Sequence, residues 1–296
     1  MSASTSPLVS VGMPAYNSER TIAEAMDCVL GQDLTDLELI VSDNGSMDGT
    51  WDVIQAYARR DPRVVAIRQP VNVGANGNYS AVARAARGRY FKWASSNDWC
   101  GTQFVSRCVA YLEAHPDVVL VSPRTRLFHD TIDQGQDYDG DLAFEQDDPV
   151  VRLKDITSRL RLNNVMNGLL RLDVLRRTRL IEHFRGADIV LVAHIAMLGK
   201  IALLDEHLFG RRMEPTTATA LMDRAAVDRH HHPVRTTRAL FPNWRRTLGH
   251  LQSVFATDLP PAAKRRALVW MLRLSFWNSP NLRRDLTDAV RFSIHR

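Results

Sequence analysis

The chain has 296 residues, 45% hydrophobic and 24% charged, with a net charge of +5, which is ordinary for a soluble globular protein with a full core in one large domain or two small ones. Cys28, Cys100 and Cys108 form no CxxC pair, which argues against a disulfide framework and fits a reducing compartment. Residues 1–6 carry no secretory signal and no apolar run approaches the ~20 residues of a membrane span, so a cytoplasmic protein is expected.

In chain order, residues 8–13 read as a short buried strand ending in a turn at Pro14. A helix over 21–30 follows, with Ser18 placed to cap it and Ile22, Ala25, Met26 and Val29 on one face. Strands are expected at 37–42, 64–68, 89–94 and 118–122, alternating with helices at 50–59, 75–86 and 102–114. Gly88 is placed as a helix C-cap, and Pro116 closes the helix before it. Strand and helix alternating with short joints mark βαβ units and a mostly parallel sheet with right-handed crossovers.

From 123 to 150 the pattern breaks. Eight acidic residues and no Lys or Arg lie between Asp130 and Asp148, in the kind of long loop that is either functional or disordered. A helix at 153–162, a strand at 165–172, a helix at 188–198 and strands at 201–204 and 207–211 come next. Beyond Pro215 the chain turns helical, with helices at 240–255, 262–278 and 283–293. These elements divide into an α/β domain over residues 1–212 and a helical region over 213–296.

Charge is unevenly spread. Between Thr236 and Arg296 eleven Lys or Arg face three Asp or Glu, a local balance of +8. Water is the default partner of such a basic tail, and nucleic acid is not expected. Residues 262–273 mix bases with Trp270 and apolar side chains, so a peripheral membrane contact through the basic C-terminal helices is the competing reading. Consecutive His230, His231 and His232 point in divergent directions without a second pair at ligand spacing, so a solvated loop is expected there, not a zinc site. His194 reads as a core or rim residue.

Four short motifs each follow an apolar run. They are Pro14-Ala15-Tyr16-Asn17, Ser42-Asp43-Asn44-Gly45-Ser46-Met47-Asp48-Gly49-Thr50, Asn72-Val73-Gly74-Ala75-Asn76-Gly77-Asn78 and Trp93-Ala94-Ser95-Ser96-Asn97-Asp98-Trp99. Each alone is an ordinary turn. Together they put polar residues at successive strand ends, where an open α/β sheet binds its ligand. In that order they resemble the family 2 glycosyltransferases of the GT-A fold. The resemblance implies a Rossmann-like GT-A sheet flanked by helices, with a helical C-terminal extension. It implies an inverting, hexosyltransferase-like enzyme that moves a sugar from a nucleoside diphosphate sugar, in UDP or dTDP form, to a hydroxyl on a glycan, lipid-linked or small-molecule acceptor. A degenerate, non-catalytic nucleotide-sugar-binding protein of the same fold is the alternative. A nucleotidyltransferase fits less well, because residues 13–16 supply no Gly-rich phosphate loop.

Tyr16 can stack on a base, and Asp43 can accept from the base edge or bond the ribose; the resemblance assigns Pro14, Tyr16, Asn17 and Asp43 to the nucleotide. Asp48 before Gly49 and Thr50 reads as a turn and cap. Asn72, Gly74 and Asn78 match an N-x-G-x-x-x-N signature at a helix entry that favours negative charge, with Ser80 where the family often has a further Asn.

The fourth motif departs most. Ser95 and Asn97, with Ser96 between them, fall on the family's Asp-x-Asp, and Asp98 follows. Asn97 offers Mg2+ or Mn2+ a carbonyl oxygen, not a carboxylate. Three readings stay open: Asp98 as the main ligand with Asn97 assisting, a metal held mostly by the diphosphate, or no metal, with Arg or Lys offsetting the charge. A metal of reduced affinity is favoured. For the base, one carboxylate near the acceptor oxygen suffices. Asp188 in Gly186-Ala187-Asp188-Ile189 matches the family's catalytic Asp at a helix start, with Ala187 in place of the common Glu; a dipole-favoured helix residue is the plain alternative. Arg211 and Arg212 after Phe209-Gly210 match a late basic position near the phosphates.

Overall fold

The structure, a computed structural model, describes residues 6–213 and 241–294. The expectation for His230, His231 and His232 lies outside the described residues. Strands β1 (Val9–Ala15), β2 (Leu37–Asp43), β3 (Val64–Arg68), β4 (Tyr90–Trp93), β5 (Trp99–Cys100), β6 (Val118–Phe128), β7 (Gln136–Asp137), β8 (Leu169–Arg171) and β9 (Lys200–Arg212) share one sheet. Their order is β3-β2-β1-β4-β8-β6-β9-β5, with β7 paired to β6. The β3-β2-β1-β4 half is parallel, as the βαβ alternation predicts. In the other half β6 and β9 run parallel, while β8, β5 and β7 pair antiparallel with their neighbours, so the whole sheet is mixed.

The helices are α1 (Ile22–Leu30), α2 (Thr50–Arg60), α3 (Ala75–Ala85), α4 (Phe104–Ala114), α5 (Pro149–Arg159), α6 (Leu172–Arg176), α7 (Ala187–Leu198), α8 (Pro242–Ala256), α9 (Pro261–Trp277) and α10 (Ser279–Ile294). Alternating strand residues feed two cores. Val9, Val11, Leu39 and Val41 pack with α1, α2 and α4 residues such as Met26, Ile54 and Phe104. Ile40, Phe91 and Trp93 point to the other face, with Val82 of α3, Leu153 of α5 and Leu191 of α7. There Phe91 and Trp93 meet edge to face at 4.7 Å, a contact worth about 0.5–1.5 kcal/mol beyond burial. Val254 of α8 and Ala263, Ala267 and Met271 of α9 belong to that same cluster.

Local expectations fail where a distant partner overrides them. Pro123 does not end its strand: β6 runs on to Phe128 because β9 pairs beside it through bulges at Pro123, Arg124 and Thr125. The two strands expected at 201–204 and 207–211 are one, β9, with Asp205 and Glu206 left out of the pairing to meet Arg124 and Arg107. Residues 123–128 and 136–137 of the stretch expected as a loop are thus strand, and most of the rest is irregular. Its acids serve as partners: Asp147 meets Lys200, and Asp148 accepts the Val150 N–H at the start of α5 and pairs with Arg266. Gly88 is not a helix cap. α3 ends two residues earlier in extended Ala86, and Gly88 lies where an added Cβ would come within 2.6 Å of the Ser10 nitrogen. Ser18 does not cap α1 with its side chain; its hydroxyl bonds Ser96.

Candidate active site

The C-terminal ends of the parallel strands open into a cleft of about 1090 Å3. The strand-end wall is stitched loop to loop. Asn17, left-handed at φ 48°, donates its N–H to Ser46 Oγ at 2.9 Å and accepts the Met47 N–H at 3.0 Å. The Ser18 and Ser96 hydroxyls meet at 2.8 Å, joining the first motif to the fourth. Asn78 donates to the Ala15 and Ser42 carbonyls, while its Oδ1 is buried without a hydrogen bond. Tyr16 lines the cleft and is 42% exposed.

Pro14, Tyr16, Asn17, Asn78, Ser95, Ser96, Asn97, Asp98, Asp188, Arg211 and Arg212 all line this cleft. Asp43, Asn72 and Gly74 stand behind that lining, and their nucleotide roles remain an expectation. Asp43 is fully buried: Oδ1 accepts the Ser46 N–H and Oδ2 lies 3.4 Å from Arg68. Asn72 Oδ1 accepts from Asn44 Nδ2 and from the N–H of Gly74, whose φ of 80° starts α3. These residues shape the loop that presents Asn44 to the cleft. Asp48 is a turn residue. Burial would raise its carboxyl, but the Thr50 hydroxyl and N–H and the Glu19 N–H hold it below the usual range.

The fourth motif gathers charge. Asp98 Oδ1 accepts the Arg212 N–H at 2.9 Å. Burial pushes the Asp98 carboxyl up, against the Arg212 N–H, the Arg211 charge, the Ser95 hydroxyl and Lys92. Lys92 is itself buried below this loop. It donates to the Trp93 and Asn167 carbonyls and lies 4.2 Å from the Phe104 ring centroid, and burial lowers it. Tyr79 lines the same cleft. Burial raises its phenol, the adjacent Ser95 hydroxyl lowers it, and the charges of Asp98, Arg211 and Asp188 also reach it.

Asp188 is held by a helix start. Gly186 takes φ 82°, a conformation that glycine adopts freely, and α7 begins at once. Asp188 Oδ2 accepts from Asn163 Nδ2 at 2.9 Å, which aims the carboxylate. Arg211 donates to Asn164 Oδ1 at 2.8 Å, and Asn164 in turn donates to Asp141 of the acidic stretch. Arg212 is committed elsewhere. Its guanidinium donates to the carbonyls of Asn97, His129 and Asp130 and pairs with Glu24 at 2.7 Å, so it fastens the end of β9 to the Asn97 loop. Among the described residues, no three His, Cys, Asp or Glu side chains come together as a metal cluster. Asp98 is the single carboxylate of its loop, which suits a cation held jointly with a diphosphate better than one held by protein alone.

Motif reading missed Tyr79, Asn163, Arg161, Arg185, Arg246 and Arg284, which also line the cleft. Tyr79 directly follows the third motif and was in reach of it. The others have no local signature; α8 and α10 bring Arg246 and Arg284 from far along the chain.

A half-parallel sheet with a polar cleft across its strand ends, closed by a helix-borne aspartate, defines a sugar-nucleotide transferase fold of the GT-A type. The S. aureus TarS structure (residues 1–349, in complex with UDP-GlcNAc) superposes with a TM-score of 0.66 at 15% identity, over 95% of this chain and 80% of that one. The mannosyltransferase PcManGT from Pyrobaculum calidifontis, in complex with GDP-Man and Mn2+, gives a TM-score of 0.57 at 16% identity, over 97% and 76%. Residues 10–158, about half the chain, match the model of glycosyl transferase family 2, and the chain belongs to that family: it is a glycosyltransferase. It is 25% identical over 295 residues to the uncharacterized glycosyltransferase EpsJ of Bacillus subtilis (strain 168), covering 96% of this chain and 83% of that protein. A stretch of 106 residues is 32% identical to the UDP-Glc:alpha-D-GlcNAc-diphosphoundecaprenol beta-1,3-glucosyltransferase WfaP of Escherichia coli, over 36% of this chain and 41% of that one.

Proposed function

We propose that this glycosyltransferase moves a sugar from a uridine or thymidine diphosphate sugar to a hydroxyl acceptor with inversion, using Asp188 as the base. The observation that carries the reading is Asp188 facing the same cleft as Tyr16, Ser95, Asn97, Asp98 and Arg211. Tyr16 stacks on the base, and Asn17 and Asn78 line the nucleotide side. The acceptor oxygen gives its proton to Asp188 as it forms the new glycosidic bond, and the bond to the diphosphate breaks on the opposite side of the sugar. Arg211 offsets the charge of the leaving diphosphate. Asp98, assisted by Asn97, would hold a Mg2+ or Mn2+ ion that supplies further charge neutralisation to that diphosphate. The UDP-GlcNAc bound by TarS supports a uridine donor, and the diphosphoundecaprenol in WfaP's name supports a lipid-linked acceptor.

A lipid-linked acceptor calls for contact with a membrane surface, and the C-terminal helices offer apolar side chains beside bases. No helix among the described residues is long and apolar enough to cross a membrane. Peripheral contact through α9 is therefore part of the reading.

The test is Asp188→Asn. Donor turnover with Mn2+ should fall by about 10²–10⁴-fold, the span of general-base catalysis. UDP should still raise the melting temperature as in the parent. Proton NMR of the product should show the anomeric configuration opposite to the donor's. Unchanged turnover would remove Asp188 from the chemistry, and a retained anomer would remove inversion.

A further inference from the structure

The helix-built wall of the cleft carries more positive charge than its acids answer. Arg161 follows α5, Arg185 precedes α7, Arg246 lies on α8 and Arg284 on α10, and all four line the cleft. Among the described residues, none of the four makes an ion pair or a side-chain hydrogen bond. Arg161, Arg185 and Arg284 are exposed and can be hydrated. Arg246 differs. It is half-buried, and a methyl added to Gly186 would lie 3.2 Å from its Cδ. Burial, then the like charge of Arg185, disfavours its charged form. The acids whose charge reaches it are committed to other partners. Asp285 accepts from the N–H and side-chain amide of Asn243 and from the Trp244 N–H, and Asp188 accepts from Asn163.

A desolvated guanidinium without a counter-ion is costly, and a planar fork of donors suits phosphate oxygens. Asp188 lines the same cleft as this wall and the strand ends. The donor diphosphate is proposed at Asp98 and Arg211, on the strand-end side. We propose that the arginine wall binds a phosphate or diphosphate carried by the acceptor, so that the hydroxyl approaching Asp188 belongs to a phosphate-bearing molecule. This rests on the transferase reading above, and it names the acceptor's chemical class.

The experiment titrates the full chain, saturated with UDP, with geranyl diphosphate, with geraniol and with glycerol 1-phosphate, followed by calorimetry. Geranyl diphosphate should bind and geraniol should not. Arg246→Gln and Arg185→Gln should each weaken that binding about ten- to a hundredfold, as loss of a charged hydrogen bond does. Their UDP affinity should be unchanged, which also reports that they fold. Arg283→Gln, outside the cleft, should leave the binding unchanged. Binding of glycerol 1-phosphate as well assigns the site to phosphate itself; binding of geranyl diphosphate alone assigns it to a lipid-linked phosphate. Either supports the proposal. Geraniol binding as well as its diphosphate, displacement of UDP by the probe, no binding of any phosphate probe, or affinity untouched by both arginine variants overturns it. A chain that does not bind UDP at all sinks the transferase reading instead, so the two failures are distinguishable.

Discussion

On the proposed reading, Asp98 is the one carboxylate of its loop that would meet a metal. It is partly buried at the cleft wall, and burial raises its carboxyl despite Arg211, Ser95, Lys92 and the Arg212 N–H. A partly buried carboxylate gains more from a neighbouring cation than one in water, because the surrounding dielectric is lower. Asn97 beside it adds an oxygen without charge. The protein alone should therefore hold Mn2+ weakly, and the diphosphate should complete the site. Calorimetry should show UDP binding tightened by Mn2+ in the parent chain. In Asp98→Asn that metal-dependent gain, about tenfold for one charged contact, should vanish, while UDP binding in EDTA stays the same. An equal Mn2+ effect in both chains would put the cation elsewhere. At this scale the cleft lining was largely legible, because turn residues at strand ends, Tyr16, Asn17 and Ser95 to Asp98, and Asp188 at a helix start all line it. Asp43 sits behind the lining for an equally local reason. Its carboxylate closes its own turn on Ser46 and turns inward.

Packing between helices sets a different group of properties. α7 and α8 each bury a histidine with an unsatisfied ring nitrogen: His194 Nε2 and His250 Nδ1. Burial, then Arg177 and Arg179, lowers His194 to about 4, and burial, then Arg246, lowers His250 to about 3. Both rings are neutral in the fold at pH 7. Their folded pKa values lie below the unfolded 6.5, so below that pH the unfolded chain takes up protons that the fold refuses. The stability they contribute is present above pH 6.5 and is lost as pH falls toward about 4 for His194 and about 3 for His250. The loss runs at roughly 1.4 kcal/mol per pH unit for each ring. Urea unfolding of the full chain at pH 5, 6 and 7 should show this fall, and His250→Leu should remove one ring's share of the slope. A slope identical to the parent's would mean that His250 titrates normally in the fold. Element positions were legible where the apolar pattern is clear and bounded by turn residues, as in β3 and α2. They were not legible in β6 and β9, because a Pro or a pair of acids inside a strand is tolerated only when the partner strand accepts a bulge. That partner is over seventy residues away: Pro123 pairs with Leu204.

Across the whole molecule, the C-terminal helices are built back to front for a free surface. α9 turns Ala263, Ala267 and Met271 inward, while Leu272, Phe276 and Trp277 are 70%, 76% and 61% exposed. A helix whose only task is to cover a core puts its bulky apolar side chains inside. Trp244, Leu248 and Phe255 of α8 and Leu286 and Val290 of α10 are exposed as well. Arg265, Arg266 and Arg273 lie on the same helix as the exposed Leu272 and Phe276. Apolar side chains with bases beside them match the interface of an anionic bilayer, where acyl chains and phosphates lie a few ångströms apart. The full chain should therefore sediment with phosphatidylcholine vesicles that contain phosphatidylglycerol, and much less with phosphatidylcholine alone. Raising salt from 0.1 to 1 M shortens the screening length from ~10 to ~3 Å and should release much of the protein. Leu272→Ser with Phe276→Ser should lower partitioning by about tenfold or more, because each removes a side chain that the bilayer would bury. Neither contributes to the buried clusters, so the melting temperature should hold. Sedimentation that ignores phosphatidylglycerol, or is untouched by the double substitution, would detach these helices from any membrane role and leave the arginine wall to a soluble phosphate.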